Sequence, residues 1–208
     1  MNDRSIDFFI KSVLAGIMIG IGGIAKLQTG GLTGSILFSV GLFAVCTQGF
    51  PLFTGQVCYK NRPARLLLIL IANLIGASLA AVLAYTAFGS QFSFSAGEIV
   101  QAKLSLSPLQ VLSRSILCDI MIFLAVDSYK RLNDAGRYIG IFLGVTVFVA
   151  CGFDHCVANM FYIVSAIGTR TFPFFSVLLF LLLNIIGNSI GGMAVSLMAG
   201  RFFPQSEK

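Results

Sequence analysis

The chain has 208 residues, of which 57% are hydrophobic and only 11% charged. Soluble domains average about 25% charged residues, so a water-soluble globular enzyme, a disordered tail and a nucleic-acid-binding module are excluded. Twenty Phe and 22 Gly beside 14 Lys+Arg and 8 Asp+Glu read as a polytopic, all-α membrane protein with closely packed helices. The net charge of +6 is then a signal of topology before it is one of partners.

One span takes roughly 20 apolar residues, so the length allows about six or seven. Six apolar segments follow in chain order: Phe8–Ala25, Gly31–Tyr59, Leu66–Phe88, Leu109–Val126, Tyr138–Gly168 and Phe174–Ala199. The first follows Met1-Asn2-Asp3-Arg4, which has no basic n-region, and continues past signal length, so no cleavable signal peptide is expected. The second lies in a stretch without charges from Leu27 to Tyr59, 33 residues long. The fifth lies in 32 residues from Tyr138 to Thr169, whose mid-span ionisable groups are Asp154 and His155.

Both stretches exceed one crossing, and each carries a breaker near its centre. In one it is Gly49-Phe50-Pro51; in the other it is Cys151-Gly152-Phe153-Asp154-His155. Gly and Pro release backbone groups that lipid cannot satisfy, so such a break survives only against protein or a watery cavity. Between the third and fourth segments, Gly89–Ser107 is polar and Ser-rich and reads as a short surface helix.

The halves resemble each other. Asn73-Leu74-Ile75-Gly76-Ala77-Ser78 matches Asn184-Ile185-Ile186-Gly187-Asn188-Ser189, an offset of 111, and the two breakers match at an offset of 103. Each copy therefore holds three spans, and an odd number makes the second enter the membrane from the opposite side. The expected architecture is six transmembrane helices in two inverted three-helix repeats, about 8–88 and 109–199, with the second and fifth helices broken, in one domain covering 1–208. Paired broken helices in inverted repeats place a transport site where the breaks meet.

Loop charges set the expected orientation. With the N-terminus inside, ten basic residues lie inside: Arg4, Lys11, Lys60, Arg62, Arg65, Lys130, Arg131, Arg137, Arg201 and Lys208. Four lie outside: Lys26, Lys103, Arg114 and Arg170. The bias puts both termini, with Asn2 and Glu207, in the cytoplasm of a cell bounded by this inner membrane.

His155 is the single histidine, and it sits at a break beside Asp154. Ionisable groups inside a span are expensive and face a bundle interior or a pathway. The five cysteines (46, 58, 118, 151 and 156) are odd in number and form no CxxC, so they indicate neither a disulfide framework nor zinc. One histidine with two cysteines is a poor metal site by ligand count, and no cofactor is expected. No HExxH or Gly-x-Ser-x-Gly arrangement is present to support an intramembrane enzyme.

Gly152-Phe153-Asp154-His155-Cys156-Val157-Ala158-Asn159-Met160-Phe161 resembles the fifth-span signature of the formate/nitrite transporter family. Leu52-Phe53-Thr54-Gly55 is similar to that family's second-span break. Lys11 to Gly23, Leu117-Cys118-Asp119 with Leu124-Ala125-Val126, and Gly187 to Gly192 resemble its first, fourth and sixth spans. The likeness covers nearly the whole chain in order.

The resemblance implies an aquaporin-like six-helix subunit in a homopentamer, with one pore per subunit for small monovalent anions or their acids. Formate, nitrite and hydrosulfide are the type substrates, with lactate or acetate in some members. It makes His155 the central pore histidine, with Thr54 and Asn188 hydrogen-bonding around it. It pairs Phe148 with Leu52 in an inner apolar constriction and Phe38 with Leu42 in an outer one. Lys103 matches an outer-vestibule lysine and Lys11 a basic residue at the inner mouth. Physically, apolar rings make a bare anion pay a large desolvation cost. A lysine at the mouth concentrates anions, and imidazole can exchange a proton near neutral pH.

Three positions depart from the family pattern: Asp119 for Asn, Asp127 for Trp and Asp154 for Glu. On the family's arrangement Asp119 would lie against Asp154 as a buried acid pair sharing one proton. Two charged carboxylates at ~4 Å would repel by about 4 kcal/mol at an effective dielectric near 20. The rival reading is a proton-coupled symporter of another small substrate, with Asp119, Asp154 and His155 as the relay. Asp127 reads as a solvated partner of Lys130 and Arg131.

Overall fold

A computed structural model describes residues 3–169 and 171–202. Arg170, Lys208 and the terminal Asn2 and Glu207 of the orientation argument lie outside the described residues. The described residues form nine α-helices and no strand: α1 (Asp3–Thr29), α2 (Gly31–Leu37), α3 (Ser39–Gln48), α4 (Phe53–Val57), α5 (Pro63–Leu104), α6 (Pro108–Arg131), α7 (Gly136–Ala150), α8 (Cys156–Ser165) and α9 (Phe174–Met198).

Five stretches are long and apolar enough to cross a membrane: Arg4–Thr29, Gly31–Gln48, Pro63–Leu104, Pro108–Arg131 and Phe174–Met198. The fifth apolar segment folds instead as two shorter helices, α7 and α8. Large side chains such as Leu83, Leu109 and Phe175 point outward from the bundle. The interior holds buried serines and asparagines among its apolar residues.

Local chemistry sets the helix ends. Pro63 and Pro108 open α5 and α6, where a missing N–H costs nothing. Ser107 and Gln110 close a capping box on α6. In α5 the backbone leaves the helical region at Gly89 (φ 71°), so the residues after it turn away as the short helix expected there.

The helices on either side of Gly49 and Gly152 end and restart locally. α3 ends at Gly49 with φ 66°, and the chain runs extended at Leu52 before α4 begins at Phe53. α7 ends before Gly152 with φ 69°, and the backbone is extended at His155 before α8 begins at Cys156. Both glycines occupy a left-handed conformation that a side chain would strain.

Helix packing follows the same plan in both halves. α1 lies along α5, and α6 lies along α9. A Cβ on Gly76 would strike the carbonyl of Val13, and one on Gly191 would strike the carbonyl of Ile116. These contacts let each pair of helix backbones approach closely.

Candidate functional site

His155 is buried where the chain leaves its extended stretch and enters α8. Its Nδ1 accepts a hydrogen bond from the backbone N–H of Ala158 at 3.1 Å, capping the helix. An accepting Nδ1 carries no proton, so the neutral ring holds its hydrogen on Nε2. Nε2 lies 3.0 Å from Thr54 Oγ1, which accepts it. Thr54, on α4, is itself fully buried, so the bond ties the two interruptions together.

The backbone at these interruptions is held from neighbouring helices. Asn73 on α5 accepts from the Phe53 N–H at 2.9 Å and donates to the carbonyls of Pro51 and Ser12. Asn188 on α9 accepts from the Cys156 N–H at 2.9 Å and donates to the carbonyls of Asp154 and Ser115. Asn188 therefore orients the peptides beside the histidine and makes none of the hydrogen bonds to the ring. Its hydrogen bonds reach the peptides on either side of His155, and its amide oxygen caps α8, whose first N–H groups have no partner within the helix.

Two cavities flank the Thr54–His155 contact. One, of about 200 Å³, is lined by Lys26, Phe38, Lys103, Phe148, His155 and Asn159 among others. The other, of about 140 Å³, is lined by Leu42, Leu52, Gly55, Gln56, Val126 and Lys130 among others. They share no lining residue, and Thr54 sits between Leu52 and Gly55 of the second while bonding His155 of the first.

The apolar side chains divide differently from the expected pairs. Phe38 meets Phe148 edge-on with ring centroids 5.8 Å apart, and Phe148 stacks on His155 at 5.6 Å. Both phenylalanines line the histidine's cavity, whereas Leu42 and Leu52 line the other. Phe38 therefore groups with Phe148 and Leu42 with Leu52. Phe38 and Leu42 are four residues apart, about one helical turn or 6 Å along the helix axis.

The acids are not a pair. Asp154 Oδ1 accepts from the Lys103 ammonium and, at 3.2 Å, from Asn159 Nδ2. Asp119 Oδ2 lies 3.7 Å from Cys58 Sγ and packs over Gly192, while its Oδ1 has no hydrogen-bond partner among the described residues. Each carboxylate has its own neighbours, and no hydrogen-bonded chain among the described residues links Asp119, Asp154 and His155 into a relay. The reason lies in chain direction: the side chain of Asp154 turns toward Lys103 while its carbonyl turns toward Asn184 and Asn188.

Lys103 lines the histidine's cavity and is half of an ion pair. Lys11 lines neither cavity; it is exposed on α1 and pairs with Asp7 at 2.8 Å, one turn away. Asp127 meets Arg131 at 3.5 Å, the surface partner expected of it. Sequence reading missed Asn73, Asn159 and Asn184 as site residues and passed over Lys26 as a loop charge. The repeated asparagine motif was the available signal for Asn73 and Asn184.

A family model described as Formate/nitrite transporter matches residues 1–201. The chain is 32% identical over 179 residues to the uncharacterized transporter YrhG of Bacillus subtilis (strain 168), covering 77% of this chain and 67% of that one. It is 24% identical over 243 residues to the formate channel FocB of Escherichia coli (strain K12), covering 94% and 86%. Among solved structures it is similar to a pentameric formate channel with formate bound, with a TM-score of 0.81, 25% identity, and 96% and 98% of the two chains covered.

Proposed function

The chain belongs to the formate/nitrite transporter family, and we propose that it is a membrane channel for small monovalent anions or their conjugate weak acids. The subunit, a single domain over 1–208, holds six crossings in two inverted three-helix repeats, aquaporin-like, with the second and fifth crossings broken. The equivalent bonds of Asn73 and Asn188 support that repeat. Substrate passes one pore per subunit, from one cavity to the other past Thr54 and His155. The similar pentameric formate channel supports a homopentamer and a formate-type substrate. The subunit lies in the plasma membrane, in contact with lipid, with both termini cytoplasmic.

One observation supports this reading: a buried Thr54–His155 contact lies beside two cavities, one lined by Phe38 and Phe148 and the other by Leu42 and Leu52. Phe38 with Phe148, and Leu42 with Leu52, strip water from a passing anion, a step that favours the neutral acid over the charged form. The Nε2–H of His155 is committed to Thr54, which leaves the threonine hydroxyl proton for an acceptor on the path. Substrate is thereby offered a hydrogen bond at the point where it has lost its water.

The test is a flux panel in liposomes with formate, nitrite, hydrosulfide and acetate at two pH values. Channel behaviour is flux down each substrate's gradient without a fixed proton stoichiometry. Uphill accumulation driven by an imposed pH gradient at a fixed ratio would replace the channel with a proton-coupled carrier.

A further inference from the structure

Two lysines line the cavity on the histidine's side, but their charges are not equally available. The Lys103 ammonium is neutralised by Asp154. The Lys26 ammonium donates to the carbonyl of Gly31 at 2.8 Å and to Ser35 Oγ at 3.0 Å, both uncharged oxygens. Ser35 in turn donates to the same carbonyl at 3.0 Å, which fixes its oxygen as an acceptor for the lysine. An ammonium has three donors, and these two bonds leave one N–H for an acceptor in the cavity.

The position of Lys26 is also built. Its Cδ and carbonyl lie 3.0 Å from where a Cβ on Gly34 would stand, so the bare glycine gives the lysine stem its place against α2. The stem is held by α2, and the head stands at the wall of a cavity that also contains the apolar Phe38 and Phe148 rings. A cation with no carboxylate partner among the described residues, beside low-dielectric walls, focuses an attractive field on anions entering that space.

We infer that Lys26, rather than Lys103, is the residue that draws and briefly holds a small carboxylate or nitrite-like anion in this cavity before it meets His155. This rests on the channel reading. Lys103 then acts through Asp154 as a positioning residue for the peptide beside the histidine.

The experiment is initial formate uptake into liposomes at neutral pH, at low and at high ionic strength. Lys26→Gln is expected to lower low-salt uptake about tenfold and to flatten its salt dependence, while Lys26→Arg keeps both. Wild-type uptake and salt dependence in Lys26→Gln would overturn the inference, as would an equal fall in Lys26→Arg, which would assign the effect to packing. Should Lys26→Gln not assemble, Lys26→Arg and Ser35→Ala both keep the charge and must keep the salt dependence; loss in either overturns it. A wild-type protein that passes none of formate, nitrite and hydrosulfide ends the channel reading and this inference together. A conducting wild type beside an unaffected Lys26→Gln ends this inference alone.

Discussion

Asn73 and Asn188 make the same three bonds at two different interruptions of the chain. Each amide oxygen accepts from the N–H that starts a short helix, Phe53 for one and Cys156 for the other. Each amide nitrogen donates to the carbonyl two residues earlier, Pro51 or Asp154, and to a serine carbonyl on a neighbouring helix, Ser12 or Ser115. The three backbone positions correspond at one offset of 103 (115 − 12, 154 − 51 and 156 − 53), while the asparagines are 188 − 73 = 115 apart.

Replacing either asparagine by Ala removes three hydrogen bonds to buried backbone groups, of which the Asp154 carbonyl alone keeps a second side-chain partner, Asn184. An unmet buried group costs about 1–3 kcal/mol, so Asn73→Ala and Asn188→Ala should each lower stability by several kcal/mol. Melting temperature in detergent, followed with oligomer size, measures it. A loss confined to Asn188→Ala would deny the equivalence of the two sites.

This equivalence shows how far the sequence could be read. The motif match pairs Asn73 with Asn184, four residues or one turn short of Asn188, because Asn-x-x-Gly occurs twice in succession along α9. Apolar runs located the membrane-length helices, since lipid and backbone hydrogen bonding constrain them strongly. Asn184 instead donates to Ser115 Oγ at 2.8 Å and accepts from Asn159 at 2.7 Å. Side-chain pairings across helices, including Lys103 with Asp154 and Phe38 with Phe148, depend on rotation and depth that no single segment encodes.

His155→Asn should assemble, because an asparagine oxygen can replace Nδ1 as the acceptor for the Ala158 N–H. His155→Ala removes that cap and should cost about 1 kcal/mol. Both remove the bond to Thr54, so both should alter the pH dependence of flux. Flux profiles between pH 5 and pH 8 check this; wild-type profiles in both variants would make the imidazole a packing group.

Lys103→Ala should destabilise strongly, because it leaves Asp154 buried without its cation. Removing one member of a buried ion pair costs about 3–5 kcal/mol. Lys103→Ala with Asp154→Asn should recover much of that loss, since the orphaned charge is gone. Melting temperatures of both singles and the double variant give the coupling. Additive losses would show that the ion pair contributes nothing.

Asp119→Asn should retain fold and flux, because an amide oxygen can take the place of Oδ2 beside Cys58 Sγ. Removing a carboxylate buried without a cation avoids a penalty of several kcal/mol whenever it is charged. Asp119→Ala should destabilise by the cavity it leaves and the contact it removes. Liposome flux with thermal melts at pH 5 and pH 8 would decide. A well-folded Asp119→Asn protein without flux would make this carboxyl a proton carrier.

Phe38 and Phe148 touch, whereas Phe38 and Leu42 line different cavities. Phe148→Ala should widen the constriction beside His155, raise leak and remove the ring stacked on the imidazole. Truncating a buried Phe costs about 3–5 kcal/mol, so smaller losses in Phe148→Leu provide a folded comparison. Combining Phe38→Leu with Phe148→Leu should give a leak that departs from the product of the single effects, because contacting residues couple. Combining Phe38→Leu with Leu42→Ala should be close to multiplicative, since the two narrow the path at separate depths. Leak is read as uptake of acetate, a larger solute than formate, at a pH where both are charged. Coupling between Phe38 and Leu42, with none between Phe38 and Phe148, would restore the pairing that the family resemblance implied.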